Sequence, residues 1–371
     1  MSAPRLEIDL GKIYHNARTL VERLARRGIS VTGVTKATLG SAEIAATLLR
    51  AGVKSLGDSR IENIEALRLA RIDAAMTLIR SPMLSQVERV VRHADVSFNT
   101  EMEVIKSLSL AAQKADCVHA VVLMVELGDL REGIPPNELI DCVRQTCALP
   151  HIRFKGIGTN LACRSGVSPD AENMAVLSGL ADAIEATLGL KVEIVSGGNS
   201  ANIAWALGDT DSGRINDLRL GESILLGCET LYRQPIEGLH SDAITLVAEV
   251  IEARTKPSLP SGTLAQTAFG EAPPVKDRGL VRQSILAIGQ QDIDPCGLHA
   301  PTGIKIMGAS SDHLILESDS EKLMAVGTEV TFQLNYSALV RAMTSPFVAQ
   351  RIKPVLAPRQ KERALLPQQS R

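Results

Sequence analysis

Aromatic side chains are scarce in these 371 residues: one Trp, three Tyr and five Phe. Any chemistry that needs a phenol must draw on Tyr14, Tyr232 or Tyr336. No apolar run is long enough to span a bilayer. The start, Met1-Ser2-Ala3-Pro4-Arg5, lacks the apolar stretch of a signal peptide and leads straight into an amphipathic pattern. A soluble, cytoplasmic protein is therefore expected. The six cysteines, Cys117, Cys142, Cys147, Cys163, Cys228 and Cys296, contain no CxxC pair and no regular framework, which points to reduced thiols. Neither sign of charge dominates, with 40 Lys and Arg against 42 Asp and Glu. That balance excludes a general attraction to nucleic acid or to an anionic membrane.

The length exceeds what one ordinary core holds and fits a large barrel plus a second domain. From about residue 30 to residue 227, short β-branched runs end in polar or glycine-rich turns and amphipathic helical stretches follow. The expected strands are Ser30–Thr35, Lys54–Gly57, Met76–Ile79, Val96–Phe98, His119–Val125, Phe154–Gly158, Val192–Val195 and Leu218–Leu220. Between them lie helical patterns such as Ala42–Ala51, Ile61–Ala70, Gln86–His93, Glu101–Lys114 and Ala171–Leu188. Strands alternating with helices imply parallel pairing, and eight such units imply a closed (β/α)8 TIM-type barrel over residues 1–235. An open doubly wound sheet is the alternative, but no GxGxxG fingerprint follows the first of these strands. After about residue 235 the runs Leu246–Ile251, Arg282–Ile288, Gly303–Met307, Leu314–Glu317 and Glu329–Leu334 follow one another without helices, punctuated by Pro, Gly and Ser. This reads as a smaller all-β C-terminal domain over 236–350, with a polar, basic tail at 351–371.

A barrel of this kind does its chemistry at the C-terminal ends of its strands. There the sequence places Lys36, then Asp58-Ser59-Arg60, Arg80, Asn99, Glu126 with Gly128–Gly133, Thr159-Asn160, Ser196–Ser200 and Arg219–Glu222. A lysine ending a buried strand is desolvated, which favours a nucleophilic amine of the Schiff-base kind. The same position also suits a lysine that snorkels from the rim to water. The glycine-rich ends of the last two strands are where such barrels commonly cradle phosphate, although a loop that merely turns would read alike. A cofactor with an aldehyde and a phosphate would bridge Lys36 and that cradle.

On these residues the chain resembles the fold-type III pyridoxal-phosphate enzymes, in the alanine/ornithine racemase branch. The resemblance rests on Leu6–Leu10 with Ile13–Asn16, Gly33–Lys36, Asp58–Asn63, Leu127–Gly133 and Arg219–Glu222 taken together. It implies pyridoxal 5'-phosphate bound as a Schiff base to Lys36, and Arg131 near the cofactor's phenolic oxygen. Asn160 takes the place of a histidine over the ring. Asn199, Ser200, Gly221 and Glu222 would form the phosphate cradle, mainly through backbone amides, with Tyr336 as the tyrosine that reaches the phosphate. Arg219 would face the pyridine nitrogen. It is a donor only, so that nitrogen would stay unprotonated and the ring would be a weaker electron sink than one paired with a carboxylate. Racemisation suits such a ring, because the carbanion stays basic and is reprotonated at once.

The resemblance also implies a free amino-acid substrate and a homodimer whose active site lies at the subunit interface. The family's second base is a tyrosine of the β domain, but Gln290 stands at that position, in Gly289-Gln290-Gln291-Asp292. Asp292, and His313 in Ser310-Ser311-Asp312-His313, are the candidates to replace it. Ornithine, lysine or a broad set of amino acids is the expected substrate, with Glu126, Asp129, Asp292 and Asp312 as possible partners for a cationic side chain. Two other readings stay open: a pyridoxal-phosphate carrier without turnover, and a lyase or decarboxylase of the same fold. The metal-assisted form of the latter would look to Cys296 and His299, but two ligands do not make a site.

Overall fold

The structure, a computed structural model, describes residues 2–270, 276–320 and 323–355. The chain begins with β1 (Arg5–Asp9) and α1 (Leu10–Ala25). Asp9 caps α1 by accepting from the Lys12 amide at 3.0 Å, which explains why the strand pattern stops there. One stripe of α1, Leu10, Ile13, Ala17, Leu20 and Leu24, is buried at helical spacing. Asn16 lies in that stripe and is fully paired. It donates to the carbonyls of Ile224 and His240 and accepts from the His240 amide. A polar residue on an apolar face thus ties the helix to the end of the barrel.

The barrel consists of β2 (Ser30–Val34), α2 (Ala42–Arg50), β3 (Ser55–Asp58), α3 (Ile61–Leu69), β4 (Ala75–Leu78), α4 (Val87–His93), β5 (Val96–Asn99), α5 (Met102–Lys114), β6 (His119–Met124), α6 (Leu139–Cys147), β7 (Ile152–Gly158), α7 (Ala171–Leu188), β8 (Ile194–Ser196), α8 (Ile203–Leu207), β9 (Asp217–Leu220) and α9 (Glu222–Leu226). Strands β2 to β9 close into a parallel barrel, with β9 returning to pair with β2. Helices cover the outside, so the strands are buried on both faces and read as near-continuous apolar runs. Where β7 meets β8 the backbones approach closely, and a Cβ on Gly156 would lie 1.9 Å from the Ile194 carbonyl oxygen.

The second unit is built from β10 (Ile244–Pro257), β11 (Leu280–Leu286), β12 (Leu298–His299), β13 (Ile304–Ala309), β14 (Leu314–Ser318), β15 (Glu329–Leu334), α10 (Tyr336–Thr344) and β16 (Ala349–Lys353). Its strands run in the order β12-β15-β10-β11-β14-β13, all antiparallel pairs.

Three features depart from expectation. The sheet region is not purely β, because Asn335 caps α10 and its apolar residues Leu339, Ala342 and Met343 are buried. The first strand belongs to this sheet rather than to the barrel: β1 lies between β10 and β16, antiparallel to one and parallel to the other. Arg5, buried on β1, pairs with Glu7 and bidentately with Glu329, which fastens the strand in place. Finally, Arg351–Lys353, expected in the tail, form the end of β16, while residues 356–371 lie outside the described residues.

Candidate active site

Lys36 opens a single 3-10 turn immediately after β2. The turn is held from below by Asp58 at the end of β3. Its buried carboxylate accepts from the Thr35 hydroxyl at 2.7 Å, the Arg60 amide at 2.9 Å and the Asn63 side chain at 3.0 Å. The Lys36 side chain lines a cavity of about 550 Å³ at the C-terminal mouth of the barrel. The surrounding protein strips water from the ammonium and lowers its pKa, helped by the nearby Arg131 and Arg219 and opposed by Cys163 and Asp58. The Nζ atom stands 5.8 Å from the centre of the Tyr336 ring, which α10 brings in from the sheet domain. Burial pushes that phenol up to about 12, so it is a neutral hydrogen-bonding group at ordinary pH.

Opposite stands Arg219, buried on β9. It donates to the Ser196 hydroxyl at 2.6 Å, the Thr159 carbonyl at 2.7 Å and Asn160 Oδ1 at 3.2 Å. Its guanidinium lies 5.1 Å from the Phe98 ring centre. Ser196 in turn donates to Asp217, which also accepts from Thr32. Two residues along the same strand, Asp217 thereby fixes the guanidinium through Ser196. Burial lowers Arg219 to about 10, still well above neutrality, so it remains a charged donor. Asn160 accepts from Arg219 and from Asn199, and its buried Nδ2 has no acceptor in the protein.

The Leu127–Gly133 motif forms a loop closed on itself. Glu126 accepts the amides of Gly128, Leu130 and Arg131, and a Cβ on Gly133 would lie 2.4 Å from the Glu126 nitrogen. Asp129 is buried and binds the next loop, accepting the amides of Cys163, Arg164 and Ser165 at 2.9–3.4 Å. This brings Arg131 against the Cys163 thiol at 2.8 Å and against Glu132. Burial alone would raise the Asp129 carboxyl, but the converging amides outweigh it and hold the pKa below the ordinary value. Asp129→Ala strands these buried donors and is expected to cost about 2–3 kcal/mol, read as a lower urea midpoint. Because the folded pKa is depressed, this contribution is complete above the unfolded value of about 4 and fades as pH falls through the folded value. A wild-type minus variant stability difference that stays constant between pH 6 and pH 3 would contradict this role.

All nine expected cofactor-binding residues, Lys36, Arg131, Asn160, Asn199, Ser200, Arg219, Gly221, Glu222 and Tyr336, line the one cavity. Asp292 and His313 do not. Asp292 accepts from the Ser345 hydroxyl at 2.5 Å, and His313 stands 2.9 Å from Asp312 on an adjoining turn of the sheet domain. The amides of Gln290 and Gln291 bond the carbonyls of Ser310 and Ser311, so the two motifs form one loop cluster away from this chain's own cavity. Two expected acidic partners are corrected. Glu126 and Asp129 are committed to loop amides, and the carboxylates that do line the cavity are Glu132 and Glu222, each paired with an arginine. Among the described residues no three metal-ligating side chains gather, Cys296 and His299 included. Cys163, Thr230 and Arg233 also line the cavity and were not anticipated. Cys163 sits three residues past Asn160, whereas Arg233 carries no local signal.

Residues 8–227 match the family described as alanine racemase, N-terminal domain. The chain is also 39% identical over 354 residues to the ornithine racemase of Acetoanaerobium sticklandii, covering 94% of this chain and 99% of the relative. The chain belongs to the alanine racemase family. A second relative, the lysine racemase of Thermotoga maritima, is 38% identical and covers 95% of this chain and 99% of its own length. Among solved structures, the alanine racemase of Streptomyces lavendulae superposes with a TM-score of 0.74 at 17% identity, over 96% of this chain and 99% of that one. The D-threonine aldolase of Filomicrobium marinum gives the same TM-score and identity over 92% and 88%. At that distance the likeness to solved structures establishes the fold that this alanine racemase family member shares with them. It does not select the reaction.

Proposed function

We propose that this enzyme is a pyridoxal 5'-phosphate-dependent racemase interconverting the L and D forms of a basic amino acid, ornithine or lysine, or of a broader set that includes them. The observation that carries the reading is the cavity: a lysine amine driven toward its neutral form faces a space lined by Arg80, Arg131, Arg219 and Arg233. A phosphorylated aldehyde fits that donor set. Lys36 provides the amine, the guanidinium groups balance the anionic ends, and Asn160 Nδ2 is a buried donor still owed an acceptor. The volume lies within the usual range for small-ligand sites. The names of the two full-length relatives favour ornithine and lysine as substrates.

When bound, the cofactor supplies an aldehyde that condenses with amines and a ring that draws electrons from the substrate's α-carbon. Lys36 would hold the aldehyde in the resting enzyme, and its amine, released when a substrate amine replaces it there, would take or return the α-proton at one face. Arg219, a permanent donor, would offer the ring a proton it does not give up, which would keep the electron demand low and let the α-carbon recover a proton at once. Tyr336 and Arg131 border the space around Lys36 and restrict how a substrate enters.

Lys36 serves one face only, and the other needs a separate acid or base within hydrogen-bond reach. In this reading Asp292 or His313, half-exposed on the sheet-domain loop cluster, enters the cavity of a second copy, so that a homodimer completes two sites. Asp312 beside His313 would hold its ring.

A screen of single L-amino acids with purified protein tests the reading, with D-enantiomer, ammonia, aldehyde and CO2 measured together. D-ornithine or D-lysine without the other products is expected. Release of ammonia, aldehyde or CO2, or cofactor binding without any product, would replace it by a lyase, a decarboxylase or a carrier. A second arm mixes inactive Lys36→Ala with an inactive Asp292 or His313 variant. Random exchange should restore about a quarter of the sites, and no recovery after verified exchange would remove these residues from the partner's cavity.

A further inference from the structure

Two carboxylates line the cavity, and one of them, Glu222, lies beside Gly221 and near Ser200, where the phosphate cradle is read. A carboxylate there repels a phosphate dianion unless a cation stands between them. We propose that Arg233 is that cation: a phosphate-binding guanidinium, shared with Glu222, that makes this end of the cavity prefer a phosphorylated ligand to its dephosphorylated form. The inference rests on the cofactor reading above and assigns a residue that none of the motifs covers.

Two other guanidinium groups of the cavity are engaged elsewhere. Arg219 is tied to Ser196, Thr159 and Asn160, and Arg131 to Cys163 and Glu132. Arg233 alone has a cradle residue as its carboxylate partner. The pair is unequal. The Glu222 side chain is 11% exposed and that of Arg233 is 52% exposed, so the acid is fixed in the wall and the arginine reaches over it from the open side. Planar, multiply donating guanidinium groups suit both partners at once, bonding a carboxylate with one edge and phosphate oxygens with the other.

The loop that carries Arg233 is built to hold it there. Cys228 and Pro235 form an antiparallel bridge, and the Glu229 amide donates to the Gln234 carbonyl at 3.0 Å. Inside the loop, the Glu229 carboxylate accepts the amides of Leu231 at 2.6 Å, Tyr232 at 3.0 Å and Gln234 at 2.7 Å. Arg233 itself sits at φ 61°, a left-handed conformation that a long side chain seldom adopts. These contacts use up the Glu229 carboxylate within the loop and leave Glu222 as the partner of Arg233.

The test titrates apoenzyme with pyridoxal phosphate and, separately, with pyridoxal, following the fluorescence of the single tryptophan, Trp205, and checking the endpoint by equilibrium dialysis. Arg233→Ala should weaken pyridoxal phosphate binding about 10- to 100-fold while pyridoxal changes less than twofold. Arg233→Lys should recover part of the loss. Inorganic phosphate should compete with pyridoxal phosphate in the wild type and much less in Arg233→Ala. An equal loss for both ligands, or no loss, overturns the assignment. If Arg233→Ala folds poorly, Arg233→Lys with Glu222→Gln decides, since removing the repelling carboxylate should tighten pyridoxal phosphate and leave pyridoxal unchanged, and weaker binding of pyridoxal phosphate overturns the proposal. Should the wild type bind neither ligand, the cofactor reading itself fails.

Discussion

Lys36→Ala is expected to remove all measurable turnover together with covalent retention of the cofactor. Wild-type protein should be yellow, and borohydride should fix a pyridoxyl group on the peptide containing Lys36; the variant should show neither property. The amine sits in a desolvated cavity wall beside Arg131 and Arg219, which lowers its pKa, so the neutral, nucleophilic form is available at lower pH than for an exposed lysine. The sign gives a second readout. The rate of covalent loading onto apoenzyme should rise with pH and level off below the ordinary lysine value of about 10.4. Label on any other lysine, or an inflection at or above that value, would move the cofactor away from Lys36. The fold should survive the change, because the turn that carries Lys36 is held by Thr35 and Asp58 rather than by the lysine side chain.

Arg219→Glu is expected to slow racemisation more than a hundredfold, equivalent to about 3 kcal/mol in the barrier, and to create a long-wavelength absorption band when substrate is added. The wild-type guanidinium is buried, charged and directed by Ser196 and Asp217, so it can only donate. A glutamate in its place accepts instead. It would favour protonation of the pyridine nitrogen, strengthen electron withdrawal and delay the return of the α-proton. The substitution also deprives the Thr159 carbonyl of its donor and sets a second carboxyl near buried Asp217, so a lower melting temperature should accompany it. Arg219→Lys separates the two effects by keeping a cationic donor: it should lose rate without gaining the band. An unchanged spectrum and rate in Arg219→Glu would mean that this guanidinium does not face the ring.

The barrel was legible because parallel strands covered on both faces end abruptly. The apolar runs from β2 to β9 stop at polar or glycine positions, and several of those stops, Lys36, Ser59, Arg80, Asn160, Asn199, Ser200 and Gly221, line the cavity. Lys36, Asn160 and Arg219 could be found this way because each lies within two residues of the C-terminal end of its own strand. Pairings between distant segments were not legible. β1 reads as a short amphipathic strand, but its partners lie more than 230 residues away in β10 and β16. The helix α10 is hidden in strand-like texture, although Asn335 at its cap and the spacing of Leu339, Ala342 and Met343 were available signals. Glu126 and Asp129 looked like acids for a cationic substrate. Their carboxylates are consumed by loop amides, a use that only the folded loop reveals. Arg233 reaches the cavity through a turn organised by Glu229, and residue type alone says nothing about that.

The placement of β1 has a consequence for synthesis on the ribosome. Domains ordinarily fold as units in the order in which they emerge, yet here β1, which emerges before the whole barrel, pairs with β10 and with β16, the latter at residues 349–353. Until the end of the chain arrives, one or both edges of β1 are open, and an open strand edge is a template for association with other chains. Nascent chains stalled before residue 349 should therefore aggregate more readily than the finished protein, even with the barrel complete.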